Sequence, residues 1–304
     1  MISARAMSLL EGAIDLHVHV DPSVRPRLGD SRELIIEAGR AGMRGLLLKD
    51  HDRATVADAW HANRVGNGVS AAGSVCLNAP AGGLNPAAAE AAIQLGVAAV
   101  FLPTDSAHND GEFWARHLAG RDRAEVVGEG HARRYTSRIK VRDEGGSLIR
   151  PVTEVIELCA EAGVTVCTGH LSADEVTVVV DECAALGARV VVTHAPVFTD
   201  ADIDHLQRWA DAGALLELVA IFCCQIPSLP TTIWRSYEGE ASLIDRVGAG
   251  SFVLSTDLGQ RNNPSPVEGL ATFVDGLLAE DISEDDVSIM TRVNPATALG
   301  WETL

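Results

Sequence analysis

The stretch PVTEVIELCAEAGVTVCTGHLSADEVTVVVDECAALGARVVVTHAP, residues 151–196, holds the unit from which the fold is built. Pro151 stands at a helix start, where a missing N–H costs nothing, and Gly163 stands where a left-handed residue closes the helix. VTVCT (164–168) follows, short, β-branched and apolar on both faces, as a parallel strand covered on both sides should be. Ser172 then opens a second amphipathic segment, Gly187 ends it, and RVVVT (189–193) repeats the strand pattern. A strand–helix–glycine–strand rhythm indicates parallel βα units, and right-handed crossovers leave few topologies for them.

The same rhythm extends outward in both directions. Further strand candidates are AIDLHV (13–18), GLLLK (45–49), SVCL (74–77), AAVFLP (98–103), ALLELV (214–219) and FVLST (252–256). With the two above they make eight, which predicts an α/β chain folded as a single (β/α)8 TIM-type barrel over residues 1–304; an open doubly wound sheet is the competing arrangement. Ser31–Arg40 reads as a helix with Asp30 as N-cap and Glu33 three residues on. Residues 121–150 break the rhythm and read as an inserted hairpin after the fourth strand, turning at Asp143–Gly146 and placed to reach the active-site mouth.

Composition narrows the class of function. Asp and Glu outnumber Lys and Arg by 42 to 24, a formal charge of −18 that repels nucleic acid and anionic membranes. Cys76, Cys159, Cys167, Cys183, Cys223 and Cys224 form no C-x-x-C pair and read as buried free thiols in a reducing compartment. The opening MISARAMSLLEG lacks the apolar core of a secretion signal, and no run approaches the roughly 20 apolar residues of a membrane span. These features predict a cytoplasmic protein with a small-molecule substrate, and they leave room for a homo-oligomer.

Chemistry enters where polar residues stop the apolar strands. His17 and His19 end the first strand as H-V-H, two apart and so on one side of it. Lys49 ends the second, with His51 just beyond; His170 follows the fifth, His194 the sixth and Asp257 the eighth. In a barrel these ends share one rim, where active sites of this architecture lie. Imidazole and carboxylate together suit one or two divalent ions, zinc first, with manganese, iron or nickel as alternatives. Such an ion makes hydroxide available near neutral pH, and Asp257 is placed to touch the metal and to carry a proton from water to a leaving group. Singly each residue has a plainer reading: an incidental H-x-H pair, His170 beside a helix cap, Asp257 as an N-cap.

The ordered set H-V-H, T-G-H-L, T-H-A-P and S-T-D-L-G resembles the amidohydrolase superfamily, and R-V-N-P-A-T-A-L-G resembles its C-terminal helix. The likeness spans Asp15 to Leu299. LLLKDH, LNAPAGGLNP and LSTDLGQ resemble most an amidohydrolase-like group known only as a domain of unknown function. The resemblance implies that His17, His19, His170 and His194 are metal ligands and Asp257 the catalytic aspartate. It also exposes a departure: binuclear members carry a carboxylated lysine or a glutamate at the end of the fourth strand, and AAVFLPTDSAHND has neither.

Lys49 on the second strand could bridge two ions as a carbamate instead, with Asp105 as a shorter substitute. An unperturbed lysine amine is protonated at neutral pH (pKa about 10.4), so carbamate chemistry needs cations nearby. The alternatives for Lys49 are a cation for a substrate carboxylate or an ion-pair partner of Asp15. His51 adds a ligand or substrate contact, or is a solvated loop residue. Arg25, Arg27 and Arg261 suit a substrate carboxylate but are also ordinary loop charges. Asn78 and Asn85 could orient a carbonyl or simply make turns. The expected function is hydrolysis of an amide, cyclic amide or lactone. The alternatives are a decarboxylase or other lyase, a phosphoesterase, and a non-catalytic metal-binding protein.

Overall fold

The computed structural model describes residues 2–118, 120, 138–226 and 229–302. Eight strands run in chain order around one all-parallel sheet: β1 (Ile14–His19), β2 (Gly45–Lys49), β3 (Ser70–Cys76), β4 (Val97–Phe101), β5 (Thr165–Cys167), β6 (Val190–Val192), β7 (Leu215–Val219) and β8 (Phe252–Ser255). The sheet closes on itself just past β8, where the Asp257 N–H donates to His17 O at 2.9 Å and the His19 N–H to Leu258 O at 2.8 Å. Closure removes the edges that an open doubly wound sheet would keep, so the (β/α)8 barrel expectation holds.

Local chemistry explains the helices between the strands. Asp30 accepts from the Arg32 and Glu33 N–H groups while Glu33 reaches back, a complete capping box for Ser31–Arg40. Ser172 and Glu175 do the same for Ala173–Leu186, and Gly163 and Gly187 close their helices in left-handed conformation. Strand boundaries differ by small amounts from the sequence reading. The largest change is β3, which begins at Ser70 because SAAG, with little strand propensity of its own, pairs with Gly45–Leu48. Of the inserted segment, residues 121–137 lie outside the described residues. A helix, His108–His117, precedes it, and the turn at Asp143–Gly146 is present: the Gly146 N–H donates to Asp143 O, and Ile149 returns to Val141.

Apolar residues inside the barrel, among them Leu47, Phe101, Cys167 and Val191, meet Ala298 and Leu299 of the C-terminal helix Asn294–Leu299. That helix closes the amino end of the barrel. The Asn294 amide donates to the carbonyls of Ala249, Gly250 and Phe252 at the start of β8, at 3.1, 3.1 and 2.7 Å. The opposite end carries the polar residues.

Candidate metal centre

His17 and His19 end β1 and both aim their rings at Asp257. His17 Nε2 lies 3.2 Å and His19 Nε2 2.9 Å from the same oxygen, Asp257 Oδ1. His194 Nε2 lies 3.7 Å from the other oxygen, Oδ2, and its ring stacks on His17 with centroids 5.0 Å apart. Special backbone places these groups. His194 and Asp257 adopt φ of +50° and +53°, a left-handed conformation that non-glycine residues rarely take outside constrained sites. Gly259 sits so close under β1 that a Cβ would lie 2.0 Å from His19 O, which holds the loop after β8 against the first strand. With Ser265 as the next helix N-cap, the N-cap reading of Asp257 falls away.

Two carboxylates absent from the sequence reading support the imidazoles. Glu217 of β7 accepts from His17 Nδ1 at 3.1 Å and from the His194 N–H at 3.2 Å. Asp110 accepts from His170 Nδ1 at 2.8 Å and from the Trp114 indole at 3.2 Å. A carboxylate on the remote nitrogen fixes the tautomer and turns the Nε2 lone pair outward, the usual support behind a histidine that binds metal. Glu217 had a visible signal, an acid inside the apolar run LLELV. Asp110 lies in a helical first turn, and nothing in its spacing ties it to a strand end.

Burial dominates the electrostatics. It pushes the His17, His19, His51 and His194 imidazoles well below the usual histidine range; Lys49 adds to this at His17, and Arg27 does so at His19. Neutral imidazole is the form that ligates. Burial also lifts Glu217 and Asp15 to about 7. Lys49 is fully buried, with Nζ 5.0 Å from the centre of the Phe101 ring and, among the described residues, no hydrogen-bond partner. The alternative ion pair with Asp15 is not formed, because the Asp15 carboxylate accepts instead from the Thr256 hydroxyl at 2.5 Å and the Thr256 N–H at 3.1 Å.

Among the described residues, three sets of side chains could each hold a metal ion: His17, His19 and Asp257; His17, His194 and Glu217; and Asp105, Asp110 and His170. The donors fit a divalent ion, and the orphaned His17 Nε2 and Lys49 Nζ are what a missing partner would leave. His170 thus belongs with the acids of the β4 side, although its ring centroid is 5.4 Å from that of His194. Gly169, whose Cβ would lie 2.4 Å from Pro103 O, lets its loop approach β4. Asp105, the substitute bridge, pairs with Arg25 and lies 3.6 Å from His51 Nδ1.

The remaining candidates divide cleanly. His51 is buried rather than solvated, stacked on His19 at 4.8 Å and bonded through Nδ1 to Thr104 at 3.1 Å. Asn78 is buried and spends its amide on His51 O, Thr104 and Ser106, so it positions that loop instead of facing a substrate. Asn85 is an exposed N-cap whose oxygen accepts from the Ala87 N–H, and Arg261 is an exposed loop charge. Arg27 is buried at the mouth.

Solved structures share this fold. An amidohydrolase from Pseudomonas aeruginosa superposes with a TM-score of 0.61 at 14% identity, covering 98% of each chain. The probable dipeptidase PvdM from the same organism gives 0.60 at 13%, covering 98% of this chain and 96% of its own. A 2,6-dihydroxybenzoate decarboxylase from Rhizobium gives 0.50 at 12%, covering 95% and 99%. The expected resemblance to the amidohydrolase superfamily therefore holds at the level of fold. No curated protein matches the chain in sequence. A family model matches residues 12–217, more than half of the chain, and on that match the protein belongs to the family of unknown function DUF6282.

Proposed function

We propose that the protein is a metal-dependent hydrolase that opens an amide, cyclic amide or lactone bond of a small molecule. The observation that carries this reading is the meeting of His17, His19 and His194 on the two oxygens of Asp257, at 3.2, 2.9 and 3.7 Å, in a buried mouth. His17, His19, His194 and Asp257 would hold the first ion, zinc being the best match to this donor set, and His170 would help to hold a second. When bound, a divalent ion acidifies water and polarises an acyl oxygen.

The chain's own groups supply the rest. Glu217 holds His17 with Nε2 facing the mouth. Asp257 Oδ2, less engaged than Oδ1, accepts one proton from water as the water oxygen adds to the acyl carbon. It returns that proton to the nitrogen or oxygen that departs as the acyl bond breaks, leaving an acid and an amine or alcohol. Lys49 would be a ligand as a carbamate: the ammonium first gives up one proton, the neutral amine nitrogen then bonds to carbon dioxide and loses a second, and the resulting anion would offer oxygen to a divalent ion.

Elemental analysis of protein purified without chelator should find one or two equivalents of a divalent ion, and metal-loaded protein should hydrolyse members of an amide, cyclic amide and lactone panel. Asp257→Asn should lose about 10²–10⁴-fold in kcat while keeping its fold. Full activity in that variant, or release of carbon dioxide with no water incorporated, would sink the proposal.

A further inference from the structure

The loop between β1 and the helix Ser31–Arg40 brings two arginines to the mouth, and their surroundings differ. Arg25 forms an ion pair with Asp105. Arg27 is 3% exposed, and among the described residues its Nε reaches only Ser23 Oγ, at 3.4 Å, and one terminal guanidinium nitrogen has no partner. Among the described residues no carboxylate forms an ion pair with it. Its backbone is pinned beside the loop that begins at Asp257, through an antiparallel bridge to Gln260 and a 2.7 Å bond from the Leu28 N–H to Gly259 O.

A buried guanidinium with an unused donor is costly, and folds retain one where something outside the chain completes it. Burial, and then the charge of Arg25, lower Arg27 to about 10 against the weaker opposing pull of Asp50, Asp257 and Asp105. Charge balance selects the anion. Arg25 is already neutralised, so the mouth offers one uncompensated guanidinium. A carboxylate brings one negative charge and two coplanar oxygens that suit the guanidinium fork. A phosphate monoester carries about −1.5 to −2 at neutral pH and would leave surplus negative charge beside Asp105 and Asp257.

We propose that Arg27 anchors a free carboxylate of the substrate, so that the substrate class is small carboxylic acids bearing the bond to be cleaved, such as N-acyl amino acids or lactam and lactone acids. The assignment of the cleaved bond rests on the metal-hydrolase reading; the anion site rests on Arg27 alone.

Matched acid and amide pairs test it: N-acetylglycine against N-acetylglycinamide, hippurate against hippuramide, pyroglutamate against its amide, with inorganic phosphate alongside. Binding is read by ligand-observed NMR on the purified full-length protein, with its metal content measured on the same sample. Acids should bind about tenfold or more tightly than their amides. Arg27→Gln should erase that advantage and leave the amides unchanged, and Arg27→Lys, which keeps the charge without the fork, should restore part of it. If Arg27→Gln does not fold, as judged by circular dichroism, the intermediate preference of Arg27→Lys is the readout. Acids and amides binding alike, no acid binding at all, or an acid preference that survives both variants would overturn the proposal; so would phosphate binding more tightly than the acids. Metal-loaded protein without acid preference defeats this inference only, whereas metal-free protein with acid preference defeats the metal-hydrolase reading only.

Discussion

The two ends of the barrel are built from the same strands and solve opposite problems. At the amino end, the buried polar groups around the C-terminal helix mostly have partners, Arg292 Nε being an exception. Asn294 serves three carbonyls, and Ala298 O accepts from Thr165 and from Arg189 Nε. At the carboxyl end, Lys49 Nζ, His19 Nδ1 and an Arg27 nitrogen are buried without partners among the described residues, and the site residues His194 and Asp257 hold left-handed backbone. A satisfied end contributes stability; an unsatisfied end stores the capacity to bind. The difference can be broken from either side, because substitutions at the floor should cost stability and substitutions at the mouth should cost function.

The largest stability effect is expected at the floor. Asn294→Ala removes one amide that serves three carbonyls and should destabilise by about 2–4 kcal/mol in denaturant unfolding. Metal content per folded molecule should stay the same. If metal is lost in step with stability, the two ends are not separable. Next in size is the ion itself. Zinc supplied at 100 times its dissociation constant should stabilise the native state by about 2.7 kcal/mol. No shift in melting temperature with zinc or manganese would mean that the mouth binds neither.

Lys49→Met sharpens the contrast at smaller amplitude. Removing a buried ammonium that has no anion, and replacing it with an apolar chain of similar length, should raise the stability of metal-free protein by about 1 kcal/mol. Turnover should fall sharply in the same variant. A loss of stability would show that the amine is matched in solution by a group other than a metal or a carbamate.

How much of this could be read from the sequence follows from which forces are local. The eight strands were legible because a parallel strand covered on both faces needs an unbroken apolar run, and caps such as Asp30–Glu33 and Ser172–Glu175 act within a few residues. His17, His19, His194 and Asp257 were legible for the converse reason: each is a polar group that halts such a run. Glu217 was read as part of ALLELV, since an acid inside a strand declares its role only when its partners, His17 and His194, come from other strands. Asn85 stayed between two readings because a capping side chain and a substrate-facing one look alike in sequence. The unsatisfied state of Lys49 and Arg27 was invisible, being a property of the assembled surroundings and not of any spacing.

The smallest effect expected is kinetic and maps the difference between the ends along the chain. Burial lifts the thiols of Cys76, Cys159 and Cys183 to about 12 and that of Cys224 to about 11, so at pH 8 thiolate forms mainly through local opening. Cys223 and Cys224 follow directly on β7 at the mouth, where the Ile221 N–H is bonded to Thr256 O. Cys159 and Cys183 lie on the outer helices. If the mouth is held together partly by its ion, chelation should speed labelling of Cys223 and Cys224 several-fold and leave Cys159 and Cys183 near their original rates. Peptide mapping of a timed alkylation distinguishes the pairs. Equal acceleration at all four sites would mean that the ion stabilises the barrel globally, and the division between a structural floor and a ligand-dependent mouth would have to be abandoned.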